Sequence, residues 1–171
     1  MKQNYSFKSF ISIILSIIIA FTFVPLSADS IQDITISNAE HKQTIEQFIS
    51  EIKSIQRQVF DIAQAALRDP IPGDTQLEIR INLINNNIER LNRMLQDYLA
   101  TVPDVSDQNR HVLLTFNVLN LAKNSLYSLS LLIRETSDIE RLALLDEYFR
   151  SRVTSLDTLA ILEAILERFD T

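Results

Sequence analysis

Residues 37–66 read SNAEHKQTIEQFISEIKSIQRQVFDIAQAA. Apolar side chains fall at Ile45, Phe48, Ile52, Ile55, Val59, Ile62 and Ala66, in steps that alternate three and four. A repeat of this period keeps one stripe of a helix turned toward a neighbour along its whole length. The stretch therefore predicts a long helix packed lengthwise on others. It opens with Ser37-Asn-Ala-Glu40, a capping-box pattern in which each side chain satisfies the other residue's free backbone N–H. It closes at Asp69-Pro70-Ile71-Pro72-Gly73, which holds the only glycine of the chain.

Three further segments carry the same signature. Thr75 and Glu78 form a second capping-box pattern ahead of the seam Leu77, Ile81, Ile84, Ile88, Leu91, Leu95 and Tyr98. Asn85, Asn86 and Asn87 miss that seam, so two or all of them are expected in solvent. Asp104, with Asp107, is placed to cap a third segment, whose seam is Val112, Thr115, Leu119, Ala122, Leu126, Leu129 and Ile133. Ser137 and Glu140 give a third capping-box pattern before Leu142, Leu145, Phe149, Val153 and Leu156. The phase then slips near Ser155–Thr158 and continues as Leu159, Leu162, Leu166 and Phe169. Such a slip overwinds a supercoil locally, so a kink or short break is expected over residues 153–158.

These segments, over about residues 37–69, 75–101, 104–134 and 137–170, are joined by short turns with no strand pattern between them. The expected fold is all-α: an up-down-up-down four-helix bundle with antiparallel, coiled-coil-like seams.

The chain begins differently. Lys2 and Lys8 lead into FISIILSIIIAFTFV at residues 10–24, followed by Pro25, Leu26, Ser27 and Ala28, and the first acidic residue is Asp29. A basic start, an apolar run and a small residue before a polar stretch are the pattern of a Sec-type signal peptide over residues 1–28. An uncleaved anchor is the alternative, since the run reaches the lower length limit of a membrane span. Either reading puts the remainder outside the cytoplasm, in the periplasm, the cell envelope or the medium. Residues 29–36 show no period and read as a flexible lead-in. The Lys, Asn and Ile content suggests a low-GC bacterial source.

Composition excludes several kinds of chemistry. With no Cys, the chain has no disulfides, thiolate metal sites or cysteine nucleophile, and with one Gly it has no glycine-rich phosphate loop. Sixteen basic residues against 22 acidic ones give a formal charge of -6, which argues against nucleic acid as a partner. Di-metal bundles need Glu-x-x-His pairs, and neither His41 nor His111 has a Glu three residues before it. No metal site and no cofactor are expected.

Ser125, Ser128 and Ser130 lack the G-x-S-x-G elbow of a nucleophile. Asp146-Glu147 and Glu163 with Glu167 read as solvated helix faces, with Arg150 placed to neutralise Asp146 one turn away. No catalytic residue is identified, and no enzymatic activity is expected.

Two features remain. In an up-down bundle His41, Met94 and His111 share one end, which makes them candidate axial ligands for haem. The third helix is apolar over a wide arc, and Leu113, Phe116 and Leu131 are candidate partner-binding residues. The expected function is that of an exported, non-catalytic bundle working through a protein partner or a second copy. The alternative is a small-ligand or haem carrier.

Overall fold

A computed structural model describes residues 36–68 and 74–169. The leader (residues 1–28), most of the lead-in and the turn at Asp69–Gly73 lie outside the described residues. Four helices and no strand occur among the described residues: α1 Asn38–Arg68, α2 Thr75–Leu99, α3 Asp107–Leu132 and α4 Asp138–Glu167. None of these helices is long and apolar enough to cross a membrane.

Successive helices run antiparallel, as their side-chain pairings show. Glu51 of α1 meets Arg90 of α2, while His41, earlier on α1, meets Tyr98, later on α2. Between α2 and α3 the pairs are Glu89–Lys123 and Glu78–Arg134. Between α1 and α4 they are Gln56–Ser155 and Lys53–Glu163. The arrangement is not a square. α3 packs against all three other helices, most closely against α4, and α1 also packs directly on α3. α2 and α4 do not touch each other and lie on opposite flanks of the α1–α3 pair.

Small residues permit the close α3–α4 approach. Ala122 and Ser125 of α3 are buried beside Ser155 of α4. The buried hydroxyls satisfy themselves on their own helix: Thr115 Oγ1 donates to the His111 carbonyl at 2.8 Å and Ser125 Oγ to that of Leu121 at 3.0 Å.

The seams of the first three helices form the core. Every apolar seam residue of α1, every one of α2 up to Leu95, and the whole α3 seam are buried, with Tyr98 half-buried. Asn86 and Asn87 face solvent and Asn85 is half-buried. The width of α3's apolar face follows from its having three helical neighbours: Val118, Leu119 and Leu132 are buried on it.

α4 departs from the expected seam. The helix runs unbroken through Ser155–Thr158 as one element. Its buried residues are Tyr148, Ser155, Leu159, Leu162 and Leu166, whereas Leu142, Phe149, Val153 and Leu156 face solvent. The slip in phase thus reflects two apolar stripes on one helix, roughly 130° apart at 3.6 residues per turn. Ser155 belongs to the inner stripe because it is fully paired there. It accepts from Gln56 Nε2 at 2.8 Å and donates to the Val118 carbonyl at 3.1 Å. A polar residue so paired can sit in a seam without the cost of an unmet hydrogen bond.

The caps differ as well. Ser37 and Glu40 form the expected box, with Ser37 N donating to Glu40 Oε2 at 3.2 Å and Glu40 N to Ser37 Oγ at 3.3 Å. At α2 the cap is Asp74, which accepts from Gln76 N at 2.8 Å, and Thr75 is the first helical residue. Glu78 pairs instead with Arg134. At α3 the cap is Ser106, accepting from Asn109 N at 3.0 Å, in place of Asp104. Before α4, Glu135 accepts from the backbone N–H groups of Thr136 and Ser137, and Ser137 makes no side-chain cap bond.

Candidate functional site

Two features stand apart from ordinary packing: a buried histidine pair at one end of the bundle, and the outer stripe of α4.

His41 lies in the first turn of α1 and continues its seam backward, four residues before Ile45. It is fully buried. His111 is in the first turn of α3 and is also buried. The two elements run side by side here, so the rings meet: His41 Nε2 and His111 Nδ1 are 3.1 Å apart. The other His41 nitrogen, Nδ1, bonds Tyr98 Oη of α2 at 2.8 Å. Phe169, just past α4, closes the cluster edge-on, with its ring centroid 4.7 Å from that of His111. One residue from each helix or its end thus meets at this point.

A hydrogen bond between two imidazoles needs one N–H and one bare nitrogen, so the neutral pair is self-consistent with one ring donating to the other. Burial pushes His41 down to about 4, and the neighbouring His111 adds to the effect. His111 is held below the ordinary histidine range, chiefly by burial. Asp107 opposes that shift and Arg110 reinforces it. Burial raises Tyr98, whose hydroxyl is therefore a neutral donor or acceptor at any ordinary pH.

The structure brings His41 and His111 together but not Met94. That side chain is half-buried and its sulfur accepts from Arg90 at 3.0 Å, one turn back along α2. Both nitrogens of His41 are already engaged, so iron ligation would first have to break its bonds to Tyr98 or His111. The adjoining cavity, lined by His111, Leu114, Ile165 and Phe169 with Asp107 and Arg110, has a volume of about 280 Å³. Among the described residues no three His, Asp or Glu side chains are grouped as a metal would need.

The three α3 candidates do not form one surface. Leu113 is exposed near the start of the helix and Leu131 near its end, about 27 Å apart at 1.5 Å per residue. Phe116 is half-buried and packs against the core.

Single apolar residues are exposed on every helix, but a long run of them on one face stands on α4. Ile139 is 78% exposed, Leu142 67%, Phe149 49%, Val153 53% and Leu156 41%. Their spacing follows heptad positions, with Asp146 occupying the one polar place in the series. Asp146 Oδ2 is paired with Arg150 at 2.8 Å on the same helix, as the sequence suggests. At the border of the stripe, Arg152 lies over the ring of Phe60 of α1, 4.6 Å from its centroid. The sequence shows Leu142, Phe149, Val153 and Leu156 as a seam together with Leu145, which is instead half-buried against the core, and does not single out Ile139. Its periodicity does not say that a second set, beginning at Tyr148, takes the inward place.

No protein family, curated protein or solved structure matches this chain.

Proposed function

We propose that the chain is an exported, non-catalytic interaction module whose working surface is the outer stripe of α4. One observation carries this reading: five large apolar residues at coiled-coil spacing stand in solvent on a helix whose opposite side already fills the core. Water-facing apolar surface of that length is costly to a monomer and is the usual mark of a docking face. The reading is supported by the leader pattern of residues 1–28, which implies work outside the cytoplasm, and by the side-chain chemistry. The buried histidines bond each other and a tyrosine, and the acidic pairs on α4 are solvated or matched with Arg150 and Lys53.

A haem or small-ligand carrier is the other candidate. It is less well supported, because His41 has no uncommitted nitrogen and the Met94 sulfur is engaged by Arg90 away from the pair.

The experiment is site-specific photo-crosslinking from position 149 of the full chain in the cells that produce it. A discrete adduct from position 149, and none from the exposed Glu147 position on another side of the helix, is the expected result. No adduct from position 149 would overturn the proposal.

A further inference from the structure

We propose that α4 pairs antiparallel with α4 of a second copy of this chain, about a twofold axis passing between Glu147 and Tyr148. The proposal rests on the interaction reading above and names its occupant.

The stripe is symmetric end for end. Counting outward from that point, Asp146 and Phe149 are equidistant, then Leu142 and Val153, then Ile139 and Leu156. All six are exposed. Turned end for end, the stripe meets itself with Ile139 on the partner's Leu156 and Leu142 on the partner's Val153. Asp146 then lies beside the partner's Phe149. The symmetric run also ends where the helix does, since α4 begins at Asp138, one residue before Ile139. Steps that alternate three and four read the same in both directions, so the stripe can meet a second copy of itself end for end, as a twofold interface must.

Charge selects the same arrangement. Asp146 and Arg150 are both exposed and lie on either side of the axis. In the antiparallel pair Asp146 lies within one residue of the level of the partner's Arg150, and Arg150 within one residue of that of the partner's Asp146. In a parallel pair Asp146 would meet the partner's Asp146 within the seam, bringing like charges together away from water. A contact made by one helix from each copy falls at the small end of specific interfaces. The dimer is therefore expected to dissociate in about the micromolar range.

The chain has no cysteine, so introduced thiols report without background. Within one helix, positions 142 and 153 are about 16 Å apart, and a disulfide requires Cα atoms within about 7 Å. Leu142→Cys/Val153→Cys therefore cannot close on itself. The full-length chain carrying both substitutions is oxidised at about micromolar concentration and run without reductant.

The expected result is a covalent dimer from the double variant and monomer from Leu142→Cys alone. Its two thiols would lie about 16 Å apart across the proposed pair. A covalent dimer from Leu142→Cys alone would indicate a parallel pair and overturn the proposal. Monomer from every variant would also overturn it. If the adduct from position 149 then has a mass other than twice the chain, the interaction reading stands and only the second copy falls. If there is no adduct either, both fall.

Discussion

Gln56 of α1 donates its side-chain amide to Ser155 Oγ of α4 at 2.8 Å, in the buried interior where α1, α3 and α4 converge. Ser155 passes the bond on to the Val118 carbonyl, and Arg152, one turn away, donates to the Gln56 carbonyl at 3.2 Å. These bonds fix which side of α4 faces inward and so place its other apolar stripe in water.

Replacing Ser155 with Ala removes the acceptor of a buried amide and leaves that donor unmet. The expected cost is about 1–2 kcal/mol by urea denaturation, with the helical content unchanged. A neutral effect would mean that Gln56 has another partner and that α4 is oriented by packing alone.

The histidine pair makes stability depend on pH. The folded-state value of His41, about 4, lies below the ordinary 6.5, so the unfolded chain takes up the proton first as pH falls. The stabilisation is complete above about pH 6.5 and is lost as the pH drops toward 4. His111 shifts in the same direction. The groups that bear on the pair are Glu40, Asp107, Arg110 and Tyr98. Unfolding free energy should fall by about 2 kcal/mol between pH 7 and pH 5, and His41→Gln should halve that fall or better. Equal pH slopes for the two proteins would contradict the buried neutral pair.

Tyr148 is fully buried and its hydroxyl has no hydrogen-bond partner among the described residues. Burial raises the phenol above its ordinary range, opposed less strongly by the Arg152 guanidinium, which lies close to the hydroxyl without the geometry of a hydrogen bond. Tyr148→Phe keeps the ring and removes the unmet group, so its unfolding free energy should be unchanged or higher, by up to about 1 kcal/mol. A loss of that size would show that the hydroxyl is satisfied in solution.

The cap positions can be tested against what the sequence suggests. Asp74→Ala should cost about 1 kcal/mol and Thr75→Ala little, since Asp74 takes the N–H groups of Gln76 and Leu77. Likewise Ser106→Ala should cost more than Asp104→Ala. Thermal denaturation of the four variants decides both comparisons. The opposite order would place the helix starts one or two residues away.

Much of the fold is legible in the sequence because three helices obey one rule. A single apolar stripe with its alternating three and four can only be the buried side, which is the case of α1 and α2, and the wider apolar arc of α3 still has its seam at the centre of the buried side. α4 has two stripes, and periodicity cannot rank them. The outer stripe reads more strongly because it holds Phe149 and Val153, whereas the inner one runs through Tyr148 and Ser155. Only the bonds of Ser155 to Gln56 and Val118, made by residues 99 and 37 positions away, show which faces inward.

The caps miss for a related reason. Ser, Thr and Asp are all good N-caps, and adjacent candidates such as Asp74 and Thr75 are separated only by the backbone turn that precedes them. At the histidine end, the up-down order brings His41 and His111 together, but a spacing argument cannot supply the hydroxyl of Tyr98. That residue reads simply as the last apolar member of the α2 seam.

What covers the outer stripe of α4 decides how the protein works. Sedimentation equilibrium over about 1–100 µM, on the full chain and on Leu142→Glu/Val153→Glu, addresses it directly. Both positions are more than half exposed, so the substitutions should leave the fold intact. The mass should rise toward twice the monomer for the unaltered chain and stay that of the monomer for the variant. A chain that stays monomeric over that range, or a variant that still dimerises, would contradict pairing through this stripe.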